Sequence, residues 1–131
     1  SKTELQKDAR FVLNTILKAN ITQSILSAGK HDFLLEWVLN YDLKNYFIEI
    51  VGINNQYANG KIEQGLTLIN NLPYNKKDII LIGDTIHDSE VAEKINVNCF
   101  LIDHGHVSKK RLQSTGRKVF SNLKDILCDV I

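Results

Sequence analysis

The sequence predicts an α/β fold of the Rossmann-like type, in which helices cover both faces of a mostly parallel sheet to give three α/β/α layers. The main observation is that short apolar runs, typical of buried strands, alternate with segments whose apolar residues recur at helical spacing. The second is a length of 131 residues with 44% apolar residues, enough for one domain with its own core. Because no linker or repeat interrupts this pattern, we treat residues 1–131 as a single domain.

The first half of the chain contains two predicted strands. The stretch TELQ at residues 3–6 has the spacing of a helix capping box, so the first helix is expected near 4–19. The apolar run 21–26 predicts a strand that leads into a tight loop at Ser27-Ala28-Gly29.

Asp32 is the expected cap of a second helix, and the apolar residues at 47–51 predict the second strand. The turn-rich stretch NNQYANG then leads into a helix at 61–72, which Pro73 ends.

The second half continues the alternation of strands and helices. Strands are predicted at 79–82, 99–102 and 118–120, and helices at 89–95, at 108–113 with Ser108 as its cap, and after a cap at Ser121. Strands that alternate with helices in this way are joined by crossovers, which favours parallel pairing.

Charge and composition exclude several classes of partner. The net charge of +1 provides no electrostatic basis for binding nucleic acid or an acidic membrane. No apolar stretch approaches the roughly 20 residues of a membrane span, and no signal peptide is visible. Cys99 and Cys128 lack a metal-ligand spacing and are expected to be buried, reduced thiols. We therefore expect a cytoplasmic protein.

Two sites after the early strands could bind an anion. Ser27, followed by the small residues Ala28 and Gly29, places a hydroxyl and accessible main-chain N–H groups at a strand end, although an ordinary Ser-Gly turn explains the same residues. Lys61 opens a helix, where a cation is electrostatically unfavourable, so it either faces an anion or acidic groups or points to solvent.

The third site is the sequence GDTIHD at residues 83–88. Asp84 leaves an apolar strand, and Asp88 follows where a helix begins. Clustered carboxylates repel each other, and Mg²⁺ removes this cost because it prefers carboxylate oxygen. The alternatives are a turn-forming Asp84 and an Asp88 that only caps the helix. His87, His104 and His106 match no zinc pattern and are expected at the rim or surface.

Taken together, these sites resemble the haloacid dehalogenase (HAD) superfamily, whose members are mostly phosphohydrolases. A strand ending in Ser, a Lys opening a helix and a strand ending in GDxxxD occur in the order of that family. The stretch LIGDTIHDSEVAEKINVNCFLIDHGH is similar to its phosphoglycolate-phosphatase-like branch. The resemblance extends from about residue 4 over essentially the whole chain.

The resemblance implies a role for each of these residues. Ser27, with the main chain of Ala28 and Gly29, corresponds to the phosphate-binding motif of the family. Lys61 corresponds to the Lys that holds the phosphate and the nucleophilic carboxylate. Asp84 corresponds to a Mg²⁺ ligand, and Asp88 to the second acid, which supports the metal directly or through water. Positive charge around the phosphoryl oxygens is what phosphoryl transfer requires.

The first motif of the family, DxDx[TV], is not found in this sequence. None of the aspartates, at positions 8, 32, 42, 78, 84, 88, 103, 125 and 129, has a second aspartate two residues later. In the family this motif supplies the nucleophilic Asp and the general acid/base, lies on the central strand of the sheet, and precedes a cap domain. We therefore expect a partial HAD core, a fragment or truncated form without the cap. Another segment, or a swapped protomer, would supply the missing strand.

Three hypotheses about function follow. The first is the C-terminal core of a Mg²⁺-dependent phosphatase that hydrolyses a small phosphorylated metabolite through an aspartyl-phosphate, with the nucleophile outside this chain. The second is a non-catalytic module that binds phosphate or metal for regulation. A phosphoacceptor domain of the response-regulator type is the third, and the order of Ser27 and Lys61 fits it less well.

Overall fold

Helices and strands alternate along the chain in the computed structural model, which describes residues 8–30, 36, 38–53, 60–103 and 107–130. Of residues 27–30, 52, 53, 60 and 61 only the main chain is described. The helices with described bounds are α1 (Ala9–Lys18), α2 (Gly60–Asn71), α3 (Ile86–Ile95), α4 (Lys109–Gln113) and α5 (Leu127–Val130). Residues 36 and 38–40, in the predicted second helix after Asp32, are also helical. The strands are β1 (Ser24–Lys30), β2 (Glu49–Ile53), β3 (Ile80–Gly83), β4 (Asn98–Ile102) and β5 (Lys118–Phe120). Short 3₁₀ helices occupy Lys44–Tyr46, Lys76–Asp78 and Leu123–Ile126.

The strands form two separate parallel sheets. β1 pairs with β2, and Ile25 lies opposite Ile50. The other sheet has the order β3-β4-β5, in which Leu81 lies opposite Cys99 and Leu101 opposite Val119. Within the described residues, no ladder joins β1 to β3. This division agrees with the expected α/β core that lacks its central strand.

Helix α2 connects the two sheets. It packs against β1 and β2 and also against α3. Gly65 makes this close approach possible, because a Cβ at this position would lie 3.3 Å from Leu26 Cδ2 and 3.4 Å from Ile95. Leu26 also packs against the main core, so β1 contributes to the core that covers the other sheet.

The main core lies around α3 and β4. Its buried members are Ile69, Val91, Ala92, Ile95, Val97, Cys99, Leu101 and Leu112. A second cluster contains Ile102, Phe120 and Ile126, with the rings of Phe100 and Phe120 packed edge to face at 5.3 Å. Burial of these apolar side chains is the main term that stabilises the fold.

Several predicted boundaries are confirmed and others are wrong. Ser108 caps α4 through its hydroxyl, as predicted, and Lys118–Phe120 is a strand. The first strand does not end before Ser27 but continues to Lys30, so 27–29 lie within β1. The second strand begins at Glu49, because residues 44–46 form a 3₁₀ helix just before it.

The C-terminal segment also differs from its prediction. Asn122, rather than Ser121, caps it, because the Asn122 Oδ1 accepts from Lys124 N at 2.9 Å and starts a 3₁₀ helix. Cys99 is buried as expected, but Cys128 is exposed. Ile126 is buried in the second cluster. Cys128 lies two residues later, which is a rotation of about 200° around a helix, and therefore faces solvent.

The predicted caps at residues 3–6 and Asp32, and the stretch NNQYANG up to residue 59, lie outside the described residues. In the part of the chain that is described, no helix is both long enough and apolar enough to cross a membrane.

Candidate active site

The acidic part of the candidate site lies at the carboxyl end of β3, the edge where ligands bind in open α/β sheets, whereas Ser27, Ala28 and Gly29 lie inside β1. Asp84 follows β3 directly, and α3 begins two residues later at Ile86. The predicted start of this helix at 89 is wrong. Thr85 is the N-cap, and its hydroxyl accepts a hydrogen bond from Asp88 N at 3.2 Å, which starts the helix three residues earlier.

Asp88 completes a capping box and holds the loop before the helix. It occupies the third helical position and is only 6% exposed. Its Oδ2 accepts hydrogen bonds from the N–H of Asp84 at 3.0 Å, the N–H of Thr85 at 3.2 Å and the hydroxyl of Thr85 at 3.0 Å. A buried carboxylate requires such donors. Asp88 is therefore not the N-cap itself, and it fixes the main chain of Asp84 by direct contact.

Glycine is the only residue type that fits at position 83, at the end of β3, with Asp88 in this position. A Cβ built on Gly83 would lie 2.5 Å from both Cγ and Oδ2 of Asp88, and closer still to its Cβ. Real Cβ atoms do not approach other heavy atoms so closely. The glycine before Asp84 therefore makes room for the carboxylate that holds Asp84.

The acidic pair has the chemistry of a Mg²⁺ site and not of a zinc site. Mg²⁺ is bound in proteins through one or two carboxylates, with water and substrate oxygen completing its shell. The space left by Gly83 brings the Asp88 carboxylate against the main chain of Asp84. Nowhere in the described ranges, the acidic pair included, do three His, Cys, Asp or Glu side chains group together, so the described residues offer at most these two carboxylates. The two aspartates thus fit a hard cation.

The main chain of β1 is irregular where the sequence predicts phosphate binding. Leu26 lies opposite Val51 and Lys30 opposite Ile53, so Ser27, Ala28 and Gly29 lie in a register shift between them. At a β-bulge the ladder is locally disrupted and main-chain groups are left unpaired by the neighbouring strand. This irregularity is compatible with the predicted anion-binding role, although the side chains of 27–30 are outside the description.

Lys61 is the second residue of α2, as predicted. Helix α2 follows β2 in the chain, and the residues that join them, 54–59, lie outside the described residues. The side chain of Lys61 is not described either, so its role stays a prediction.

His87 lies on the surface near the acidic pair. Its Nδ1 is 3.4 Å from Glu90 Oε1, and its side chain is 53% exposed. The structure thus agrees with a surface position for His87, whereas His104 and His106 lie outside the described residues.

Sequence reasoning missed two contributors to the site. The spacing Thr85-x-x-Asp88 matches a capping box and would have located the start of α3. Arg117 had no detectable signal, because its contact with Ser89 joins residues 28 positions apart.

The fold is that of an α/β protein with parallel sheets and an acidic loop at the end of β3, and comparisons with known proteins specify the family. Residues 1–102 match the family model of the haloacid dehalogenase-like hydrolases. The chain therefore belongs to this family, as its motifs predict. No functionally curated protein matches the sequence.

Solved structures share the fold at low sequence identity. A protein of Clostridium acetobutylicum described as a predicted phosphatase is 18% identical, with a TM-score of 0.89 over 97% of this chain and 60% of its own. A HAD-superfamily hydrolase of Ehrlichia chaffeensis is 24% identical, with a TM-score of 0.76 over 99% of this chain and 60% of its own. A candidate beta-phosphoglucomutase of Thermotoga maritima is 20% identical, with a TM-score of 0.83 over 96% of this chain and 61% of its own. The chain thus spans about 60% of the length of such proteins.

Proposed function

We propose that this chain forms the phosphate- and Mg²⁺-binding part of a HAD phosphatase that hydrolyses a small phosphomonoester. The observation that carries the proposal is the capping-box contact, in which the buried carboxylate of Asp88 holds the main chain of Asp84 at the end of β3. A residue that only ends a turn does not need a buried charge beneath it, since burying a carboxylate costs free energy unless donors compensate it.

In this proposal Asp84 is the direct metal ligand and Asp88 is the acid that positions it. The three hydrogen bonds to Asp88 Oδ2 hold that carboxylate in one orientation. Bound Mg²⁺ would neutralise charge on the phosphoryl oxygens during transfer. The support from this chain is that Asp84 lies in the two-residue loop between β3 and α3 and is held there by Asp88 in the first turn of α3.

Ser27 and Lys61 are proposed to bind the phosphate. The register shift of β1 around Ser27, Ala28 and Gly29 supports the first role, since main-chain N–H groups outside a ladder can donate to phosphate oxygen. Lys61, the second residue of α2, would add a cation to this site. Together they would provide the positive surroundings that the transferring phosphoryl group requires.

The nucleophile is proposed to come from outside this chain. Within the described residues, β1 and β3 belong to separate sheets, which supports a further parallel strand that would pair with both. An Asp at the carboxyl end of that strand would lie between Ser27 and Asp84. The strand would come from a further segment of a longer chain or from a second protomer, and would form the aspartyl-phosphate.

The metal site is tested by titrating the chain with MgCl₂ and following the amide signals of Asp84 and Thr85 by NMR. We expect saturable shifts in the wild type and none in Asp84→Asn. Asp78→Asn is the matched control, because Asp78 lies in an exposed 3₁₀ helix before β3. Equal shifts in wild type and Asp84→Asn would contradict the metal assignment.

The hydrolase function is tested with an aryl phosphate and Mg²⁺. The chain alone should not hydrolyse the aryl phosphate. Hydrolysis should appear when a strand that ends in the DxDx[TV] motif is fused to the chain. Asp84→Asn should then abolish it, and Asp78→Asn should not. Turnover by the unfused chain that depends on Asp84 would show that the nucleophile lies inside it. Phosphate binding by the fused protein without any turnover would favour a regulatory module.

A further inference from the structure

We propose that Arg117 is a positioning residue for the acidic pair and that it acts through Ser89 on the first turn of α3. The inference rests on the proposed function for the meaning of the pair, but its geometry stands independently. Arg117 Nε donates to Ser89 Oγ at 3.0 Å, and Nη2 donates to the Ser89 carbonyl at 3.3 Å. One guanidinium thus binds both the side chain and the main chain of a residue that is 8% exposed.

Arg117 is itself held by a tight turn attached to the core. The hydroxyl of Thr115 donates to the carbonyl of Leu112 at 2.6 Å and accepts from Arg117 N at 3.2 Å. Gly116, at a φ of 82°, lets the chain reverse between them. Leu112 is fully buried in the main core. The guanidinium therefore projects from a fixed base.

The contact reaches the acidic pair in two steps. Ser89 directly follows Asp88 in the chain. The Asp88 carboxylate in turn accepts a hydrogen bond from the N–H of Asp84 at 3.0 Å. A rotation of the first turn of α3 would therefore move the carboxylate that holds Asp84. Arg117 ties this turn to the segment before β5, on the far side of β4 from β3.

The contact is not explained by helix stabilisation alone. A cation near the first turn of a helix is electrostatically unfavourable, because the N-terminus of the helix already carries partial positive charge. The two hydrogen bonds from Arg117 to Ser89 must offset this cost, and they fix the orientation of Ser89. A Lys at 117 would keep the charge but not the planar fork that reaches two acceptors at once.

Amide hydrogen exchange of the full 131-residue chain tests this inference without any metal. In Arg117→Met we expect the amides of Asp84, Thr85 and Asp88 to exchange about tenfold faster, which corresponds to losing about one charge-assisted hydrogen bond. The exchange rates of β4 amides should rise only as far as the lower global stability of the variant requires. Arg117→Lys should recover part of the protection.

Two variants control for charge and for folding. Lys118→Met removes the neighbouring cation, which is 57% exposed and pairs with Asp129, and should leave the α3 amides unchanged. Ser89→Ala removes one acceptor and should speed exchange at the same amides to a smaller extent. This milder variant keeps the test decisive if Arg117→Met does not fold. A uniform loss of protection across β4 and α3, or unchanged exchange at Asp84 and Thr85, would overturn the inference.

A MgCl₂ titration separates this inference from the proposed function. If both hold, the Mg²⁺ dissociation constant rises about tenfold in Arg117→Met, in proportion to the lost protection. If wild-type Asp84 and Thr85 do not respond to Mg²⁺, the proposed metal site is wrong, while the exchange experiment still decides whether Arg117 positions the turn.

Discussion

The carboxylate of Asp88 accepts a hydrogen bond from the main-chain N–H of Asp84 at 3.0 Å. The two acids of GDTIHD are therefore not equivalent. Asp88 is buried and uses one oxygen to hold the loop, whereas Asp84 is the residue that is held. Asp88 thereby determines the position of Asp84. Three predictions concern residues near this pair.

Gly83→Ala should disturb the acidic pair directly. The new Cβ would collide with the Asp88 carboxylate, and overpacking of this kind costs about 1–3 kcal/mol in the free energy of unfolding. Chemical denaturation should show this loss, and the amide signals of Asp84 and Thr85 should shift. Gly65→Ala is the matched control, because its Cβ would meet only side chains of Leu26 and Ile95 at 3.3–3.4 Å. Equal costs at both glycines would show that the collision with Asp88 is not the cause.

Thr85→Ala should remove the N-cap of α3 and one donor to Asp88. Loss of such a cap costs about 1 kcal/mol, and Thr85→Ser should retain nearly all stability because it keeps the hydroxyl. Ser108→Ala provides a comparison, since Ser108 caps α4 in the same way through Arg111 N at 3.2 Å. Thermal denaturation should show a loss in both Ala variants, larger in Thr85→Ala because it also removes a donor to the buried Asp88 carboxylate. Only Thr85→Ala should weaken Mg²⁺ binding; an equal weakening in Ser108→Ala would contradict a local role for Thr85.

Ile82→Lys should reduce self-association of the chain. Ile82 is 41% exposed although it lies in β3, and within the described residues β3 pairs only with β4. Open strand edges pair with other chains, and a Lys on such a strand opposes this. Sedimentation velocity over a range of concentrations should show association in the wild type and less in the variant. Leu39→Lys is the control, because Leu39 is 61% exposed but lies outside the strands; the same effect there would assign the association to general surface hydrophobicity.

Local sequence patterns predicted most of the fold. The apolar runs that became β3 and β4, the Ser108 cap and the helix after Gly60 all depend on residues close in the chain. Predictions failed where a competing local hydrogen bond moved a boundary. Thr85 began α3 before 89, and Asn122 replaced Ser121 as the cap.

The site residues were predicted by type more fully than by role. The sequence predicts Asp84 and Asp88 as a pair, with Asp88 at the start of a helix, whereas the structure shows Asp88 as a capping-box acid that holds Asp84. The sequence alone does not indicate why residue 83 is a glycine, because its need for space appears only once Asp88 is packed against it. The assignments of Ser27 and Lys61 to phosphate stay predictions.

The sequence by itself determined the alternation of helices and strands and the acidic loop, because both are encoded by periodicity or spacing over a few residues, and the order of its motifs resembles the family that the comparisons show. Only the tertiary structure decided that the strands form two sheets, that Asp88 holds Asp84, and that Arg117 reaches Ser89. These relationships depend on strand pairing and on contacts between segments far apart in the chain, and no local pattern specifies which distant donor will meet which buried acceptor.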